Sequence, residues 1–290
     1  MKKSVLEVSS LTKSFNEKNI LCNINLCAMK GDVVGLVGPN GVGKTTLMKC
    51  ILGLTNFYKG TIIFNGKEIS SKSTGIGGLI ENPGLYPFLS GMENIRMFAN
   101  DVDDDLLKRL IAIFKMEPYI MKRVSTYSLG MKQKIGIIQA ISIGKKIVFL
   151  DEPLNGLDPQ SVVEFRDIVR ELSAMGVTFF ISSHLIGELE RLADKIYILK
   201  RGGELEIFNI NERDGNNWFE MLTTNNEMFT EKLYEASIFS YSLNTYVVVN
   251  LTTEEVTRKV FDIITTQRIE VKKIQQVNSD IEAQILKKMK

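Results

Sequence analysis

The pattern of apolar and polar positions predicts β-strands in the early part of the chain. Short runs rich in Val, Ile and Leu have the length of strands and are separated by turn signals such as Asn65-Gly66. The predicted strands cover residues 5–8, 21–26, 33–37 and 61–64. From about residue 92 to 143 the apolar positions recur every three or four residues, which predicts helices.

A second series of apolar runs predicts a parallel sheet. Residues 147–150 and 177–181 are continuous apolar stretches of strand length, with a helical pattern around residues 162–172 between them. Strands that are buried on both faces have this pattern, and the βαβ order is typical of α/β proteins. A further strand is predicted at residues 196–199, before the turn Arg201-Gly202-Gly203.

The composition shifts towards Asn, Thr and Glu after residue 208, so we interpret residues 209–217 as a linker. The remaining segment, 218–290, has the pattern order β-α-β-β-α-β, which is typical of ferredoxin-like α+β domains. RNA-binding domains share this topology, but the aromatic signature that they need is missing. The six elements are predicted at residues 218–222, 227–235, 238–243, 246–251, 253–266 and 269–277, and a last helix from Ser279. The second helix is predicted to bury Val256, Val260, Phe261 and Ile264 on one face.

Length and charge exclude several classes of protein. The chain has 290 residues, enough for one large or two modest domains, and a formal net charge of +2, which argues against nucleic acid as the main partner. No run approaches the ~18 apolar residues of a membrane span, and MKKSVLEVSS lacks a signal-peptide apolar region, so we expect a soluble cytoplasmic protein. Cys22, Cys27 and Cys50 lack metal-ligand spacing and are expected to be packing residues.

A glycine-rich segment joins the predicted strand 33–37 to an apolar helical run. Residues 38–46, GPNGVGKTT, have the spacing G-x-x-x-x-G-K-[ST], in which glycines let backbone N–H groups converge on phosphate oxygens. Lys44 adds a positive charge, Thr45 offers a hydroxyl to Mg²⁺, and the helix directs its positive dipole end at the same anion. The strand–turn–helix context favours a phosphate site over a purely structural turn.

Two adjacent carboxylates follow the predicted strand 147–150. Because ligands bind at the C-terminal edge of a parallel sheet, Asp151 and Glu152 are candidate site residues. Successive side chains of a strand diverge, so the two acids can serve different atoms. Asp151 is predicted to hold Mg²⁺, and Glu152 is predicted to orient an attacking water.

Residues 4–205 resemble, in motif order, the ATP-binding subunits of ABC transporters. YSLGMKQ at 127–133 resembles the family signature LSGGQ with its following Lys-Gln, NGLDP at 155–159 resembles the D-loop, and SSH ends at His184, the single histidine, which resembles the switch histidine. The resemblance implies an α/β P-loop NTPase domain over residues 1–208, with a mixed sheet core and a helical subdomain at about 90–143. The C-terminal α+β domain would follow it.

The resemblance also implies roles for individual residues. Glu152 and His184 would be catalytic, and Thr45, Glu81 and Asp151 would hold Mg²⁺. Phe15 matches the aromatic residue that stacks on adenine, while a core Phe on an N-terminal strand is the alternative. The residues expected to bind ATP are Phe15, Gly38, Pro39, Asn40, Gly41, Val42, Gly43, Lys44, Thr45, Thr46, Glu81, Ser128, Gly130 and Asp158.

The same resemblance implies an assembly. Ser128 and the backbone of Gly130 would cap the γ-phosphate held by a second ATP-binding subunit, so two chains, identical or different, would sandwich two ATP molecules. Separate transmembrane permease subunits would span the membrane, with this chain peripheral on its cytoplasmic face. Residues 86–89, Tyr-Pro-Phe-Leu, lie where the family receives the coupling helix of the permease, although core packing explains apolar residues there equally well.

Three residues that depart from the usual motifs indicate a particular branch of the family. Glu81 stands where most relatives have Gln, and Leu129 and Met131 replace Gly and Gln of the signature. With the C-terminal domain, these features resemble the bacitracin-resistance and lantibiotic-immunity branch. We therefore expect ATP hydrolysis to power export of a peptide or similar amphipathic cargo. The alternative is a soluble ABC-type ATPase acting on ribosomes or nucleic acid, which a single P-loop and the absence of a basic arm disfavour.

Overall fold

The computed structural model describes residues 3–15, 18–69, 75–98, 103–208, 218–238, 240–243, 245–251, 253–277 and 285. The chain divides into two compact units, Met1–Asn209 and Ile210–Lys288. Each unit has an apolar core of its own. Within the described ranges, none of the helices combines the length and the hydropathy needed to cross a bilayer.

The first unit contains two sheets and six α-helices in its described residues. In chain order its strands are β1 (Ser4–Phe15), β2 (Lys18–Met29), β3 (Val33–Val37), β4 (Lys59–Phe64), β5 (Lys67–Glu68), β6 (Ile76–Leu79), β7 (Ile147–Leu150), β8 (Thr178–Ser182), β9 (Lys195–Leu199) and β10 (Leu205–Phe208). Its α-helices are α1 (Lys44–Ile51), α2 (Gly91–Phe98), α3 (Asp104–Ile113), α4 (Leu129–Ile143), α5 (Pro159–Ala174) and α6 (Ile186–Glu190). The strands predicted in this unit are confirmed, and the described part of residues 92–143 contains α2, α3 and α4.

An antiparallel sheet forms one layer of this unit. Its strand order is β2-β1-β4-β5. Strands β4 and β5 are joined at Asn65-Gly66, where both residues have positive φ (49° and 77°), as a two-residue hairpin turn requires. Helix α1 contributes its buried side chains to the core that this sheet shares with β3, β7 and β8. Cys50 is one of them, as predicted, whereas Cys22 and Cys27 are half-buried.

A six-stranded sheet forms the other layer and positions the site. Its order is β10-β9-β3-β8-β7-β6, parallel except for the edge strand β10. Every residue of β3, β7 and β8 is buried, which is why these strands read as continuous apolar runs. Strand β6 was not predicted, because Gly77 and Gly78 give it no side-chain pattern. A Cβ on Gly77 would lie 1.9 Å from the carbonyl oxygen of Ala140, so glycine lets α4 pack directly on this strand.

The second unit has the predicted order of elements. They are β11 (Trp218–Thr223), α7 (Asn226–Glu235), β12 (Ser240–Leu243), β13 (Tyr246–Asn250), α8 (Glu254–Thr266) and β14 (Val271–Val277). The sheet is antiparallel, with strand order β12-β13-β11-β14. The predicted linker at 209–217 and, apart from residue 285, the helix predicted from Ser279 lie outside the described residues.

One prediction about α8 is wrong. Val260 is fully buried and Val256 and Ile264 pack against the core, but Phe261 is 49% exposed. Residues 256, 260 and 264 follow one another at four-residue spacing on one face, whereas a residue one position after 260 is rotated by about 100° around the helix. Ile263, seven residues after Val256, packs against the core beside them.

Candidate nucleotide-binding site

The glycine-rich segment leaves β3 and enters α1 by a path that only glycine tolerates well. Gly41 and Gly43 have φ of 74° and 118°, in the left-handed region that residues with a Cβ avoid. A Cβ on Gly38 would lie 2.5 Å from the carbonyl oxygen of Leu199. The other predicted residues of the segment, Pro39, Asn40, Val42 and Thr46, lie in the same loop and first helical turn.

Lys44 is the first residue of α1 and is buried. Its Nζ donates to the carbonyl oxygens of Gly38 at 2.7 Å and Pro39 at 3.3 Å. Burial lowers the pKa of Lys44, and the negative charges of Glu152 and Asp151 oppose part of that shift. An ammonium that donates to two loop carbonyl groups and lies at a helix N-terminus is suited to an anionic phosphate.

Asp151 connects α1 to the ends of two neighbouring strands. Its Oδ2 accepts a hydrogen bond from Thr45 Oγ1 at 2.5 Å, and its Oδ1 accepts one from Ser182 Oγ at 2.5 Å. No cluster of three His, Cys, Asp or Glu side chains that could hold a metal occurs in the part of the chain that the structure describes. The paired oxygens of Thr45 and Asp151 nevertheless suit Mg²⁺, which takes few protein ligands and completes its shell with phosphate oxygens and water.

Glu152 and His184 are in direct contact, although 31 residues separate them along the chain. His184 Nδ1 lies 2.8 Å from Glu152 Oε2, and the backbone N–H of His184 donates to the same oxygen at 3.2 Å. Because an ionised carboxylate only accepts hydrogen bonds, Nδ1–H is the donor in this contact. Glu152 has a φ of 49°, so the chain turns sharply after β7 and directs this carboxylate differently from Asp151.

Two residues that sequence reasoning missed support these acids. Ser182, fully buried at the end of β8, donates to Asp151 and accepts the backbone N–H of Glu152 at 2.8 Å. Gln133, buried on α4, donates to the carbonyl oxygen of Pro153 at 3.2 Å. The signal for Ser182 was its place at the C-terminal end of a strand that pairs with β7.

Glu81 follows β6, the strand beside β7. Its backbone is left-handed (φ 60°), and its Oε1 lies 2.7 Å from Nζ of Lys49, on α1. The backbone N–H of Asp151 donates to the carbonyl oxygen of Leu79, so the ends of β6 and β7 are joined at this edge. The structure therefore places Glu81 at the same sheet edge as Asp151 and pairs it with a lysine that sequence reasoning did not single out.

The signature-like and D-loop-like segments meet each other. Ser128 caps α4, since its Oγ accepts the backbone N–H of Met131 at 3.3 Å. Gly130 lies so close to the next segment that a Cβ would be 2.5 Å from the carbonyl oxygen of Gly156. Asp158 caps α5 by accepting the N–H and hydroxyl of Ser161, and these hydrogen bonds lower its pKa. The contacts of Asp158 within this chain are those of a helix cap.

Phe15 ends β1 and is 58% exposed, so the core alternative is wrong. Lys13 Nζ lies 4.8 Å from the centroid of its ring, a cation–π contact that helps to hold the ring at the surface. An exposed aromatic face can stack on a base, and adenine stacking stays a prediction.

A glycine-rich phosphate loop between a strand and a helix, with Asp151 at the end of a nearby parallel strand, defines the class of P-loop NTPases. The family model described as ABC transporter matches residues 21–155. A model described as AAA domain, putative AbiEii toxin, Type IV TA system matches residues 123–190.

Relatives of known name cover most of the chain. The lantibiotic transport ATP-binding protein SrtF of Streptococcus pyogenes is 37% identical over 231 residues, which cover 79% of this chain and 100% of that protein. The bacitracin transport ATP-binding protein BcrA of Enterococcus faecalis is 38% identical over 216 residues, 72% of this chain and 70% of that protein. The uncharacterized ABC transporter ATP-binding protein YhcH of Bacillus subtilis (strain 168) is 31% identical over 300 residues, 98% of this chain and 95% of that protein.

A solved structure described as an ATP binding subunit of an ABC transporter matches with a TM-score of 0.67 and 28% identity. The match covers 72% of this chain and 91% of the chain in that structure. The chain belongs to the ATP-binding proteins of ABC transporters and is an ABC transporter ATPase. It is close in sequence to bacitracin and lantibiotic transport ATP-binding proteins.

Proposed function

We propose that this chain hydrolyses ATP to power export of a peptide or similar amphipathic cargo through separate transmembrane permease subunits. It would act as a peripheral protein on the cytoplasmic face of the cell membrane. The observation that carries the chemistry is the connected set of Thr45, Asp151, Ser182, Glu152 and His184 beside the glycine-rich loop. The class of cargo is supported by the printed names of SrtF and BcrA.

Each residue of the site would have a separate role in phosphoryl transfer to water. Lys44 and the loop N–H groups would bind the phosphates, and Thr45 and Asp151 would hold Mg²⁺, which when bound neutralises phosphate charge. Glu152 would accept a hydrogen bond from the attacking water and aim it at the γ-phosphorus. His184 keeps the Glu152 carboxylate in place and would reach the γ-phosphate from the same strand end. Glu81 would contribute to the Mg²⁺ shell, and Phe15 would stack on adenine.

The second half of each site would come from a partner ATP-binding subunit. Ser128 lies exposed at the N-terminus of the 15-residue helix α4, and Leu129 beside it is 61% exposed. An exposed helix N-terminus favours an anion, and the exposed leucine favours contact with another protein surface. Ser128, Gly130 and Asp158 would therefore act on ATP held by the partner.

An exposed aromatic cluster favours a membrane partner. The ring of Tyr86 packs against Phe88 at 5.8 Å and Phe98 at 6.3 Å between centroids, and all three are exposed, so core packing does not explain them. Buried Asn94 holds this loop by hydrogen bonds to the N–H and carbonyl of Tyr86. A rigid apolar patch of this kind is suited to an apolar helix of a permease.

The docking prediction is tested by Phe88→Ser. Because Phe88 is 66% exposed, we expect the variant to bind ATP normally but to lose most of its recovery with permease subunits from detergent-solubilised membranes. Met175→Ser is the matched control, since Met175 is 71% exposed at the end of α5. Equal recovery of both variants would contradict the docking site. Recovery of the wild-type chain with ribosomes instead of membranes would favour the soluble ATPase.

We also propose that residues 1–208 form the ATPase domain, 209–217 a linker and 218–290 a ferredoxin-like accessory domain. The helical subdomain would occupy residues 90–143 of the first. The strand order β12-β13-β11-β14, with α7 and α8 as the two crossovers, supports the ferredoxin-like assignment. The accessory domain would regulate the ATPase, and the alternative role is stabilisation of the fold.

Removal of residues from Asn209 onward should leave ATP binding by the monomer within about twofold of the full chain. Every proposed phosphate and Mg²⁺ ligand precedes this point, and the ATPase unit has its own core. Isothermal titration of both proteins with ATP measures this. A folded truncation that binds ATP but dimerises or turns over poorly would support regulation. Complete loss of affinity in a folded truncation would overturn the domain boundary.

A further inference from the structure

Two side-chain links join α1 to the sheet edge. Thr45 Oγ1 reaches Asp151 at 2.5 Å, and one helical turn later Lys49 Nζ reaches Glu81 at 2.7 Å. Thr45 and Lys49 are spaced i, i+4 and therefore lie on one face of the helix. Asp151 and Glu81 follow the neighbouring parallel strands β7 and β6, which lie about 5 Å apart. The two links thus run side by side.

The contact between Lys49 and Glu81 affects the charge at the edge of the proposed nucleotide site. Asp151, Glu152 and Glu81 place three carboxylates along one edge of the sheet, where an anionic polyphosphate is to bind. Lys44 opposes the first two, since their charges act on its pKa. Lys49 is the cation that contacts the third. Without the Lys49 ammonium, the Glu81 carboxylate would add an unpaired negative charge to this edge of the sheet.

Glu81 also needs support for its conformation. It has a positive φ, which disfavours this backbone for a residue with a Cβ, and its side chain is 62% exposed. Its carboxylate therefore depends on a partner to stay at one place. The Lys49 ammonium supplies that partner from a helix whose first turn carries Lys44 and Thr45.

We propose that Lys49 is a positioning residue that holds Glu81 at the edge of the nucleotide site and offsets its charge. This inference rests on the proposed ATP site. It predicts that Lys49 acts through Glu81, so that loss of Lys49 has little further effect once residue 81 is no longer Glu.

The first test measures backbone amide hydrogen exchange of residues 80–85 in the nucleotide-free protein. Lys49→Met and Glu81→Gln should each speed exchange by about threefold, as expected for an exposed ion pair, and the double variant should not exceed either. Lys49→Arg should keep the exchange rate of the wild-type chain. Lys67→Met, a loss of one exposed lysine on β5, is the matched control and should change nothing.

The second test measures kcat for ATP hydrolysis in the same variants. Lys49→Met should lower kcat by about threefold when residue 81 is Glu, and by less than about 1.5-fold when it is Gln. Additive effects in exchange and in kcat would overturn the pairing, as would unchanged exchange in both single variants. Since exchange is read without nucleotide, this result is separate from the ATPase itself. A wild-type chain that does not hydrolyse ATP would instead overturn the proposed function.

Discussion

Glu152→Gln should bind ATP as the wild-type chain does, hydrolyse it at least about 100-fold more slowly and accumulate as an ATP-bound dimer. The amide has the size of the carboxylate and keeps one oxygen that can accept from His184 Nδ1, so the local geometry is retained. It lacks the negative charge that orients the attacking water and favours its deprotonation. ATP binding should therefore be retained while hydrolysis is lost. Steady-state turnover measures hydrolysis, and size-exclusion chromatography with ATP measures the dimer.

Glu68→Gln is a suitable control, because Glu68 is an exposed residue of the short strand β5. It should turn over ATP as the wild-type chain does. Near-normal hydrolysis by Glu152→Gln would remove Glu152 from its assigned role. In that case Asp151, which is fully engaged by Thr45 and Ser182, would not be an obvious replacement as the group that orients water.

Lys44→Ala alone should abolish nucleotide binding, because it removes the buried ammonium of the proposed phosphate loop. Ser128→Arg should keep its own phosphate loop but fail to cap ATP held by a partner. Each variant alone would then be inactive. A mixture would restore one composite site per mixed dimer, and random assortment would give about a quarter of wild-type turnover.

The mixing experiment needs conditions in which dimers form, which chromatography or light scattering would establish. Met121→Arg is the matched control for the added arginine, since Met121 is exposed and lies outside the signature-like segment. It should leave turnover unchanged. Mixed dimers that stay as inactive as both parent proteins would remove the main support for two chains sharing each site.

The elements that carry strong local patterns were predictable from the sequence. The strand at residues 147–150 was predicted to the residue as β7, because four apolar residues between polar neighbours fit a strand buried on both faces. The glycine-rich loop was equally clear from its G-x-x-x-x-G-K-[ST] spacing, and the structure shows Gly41 and Gly43 in backbone angles that other residues avoid. Strand β6 was missed, because its two central glycines are explained only by the close approach of α4.

The sequence by itself determined the kind of chemistry, because the residue types and spacing of the phosphate loop and of Asp151-Glu152 are local properties. Tertiary structure decided which side chains meet. Asp151 is joined to Thr45 across 106 positions, and Glu81 to Lys49 across 32, only because β6, β7 and β8 end at one edge of the sheet beside α1. Ser182 lies in the site for the same reason, because it is the last residue of β8. Short-range patterns report the conformation of a segment, whereas hydrogen bonds between distant segments depend on how strands pair, and that pairing is fixed by the packing of the whole unit.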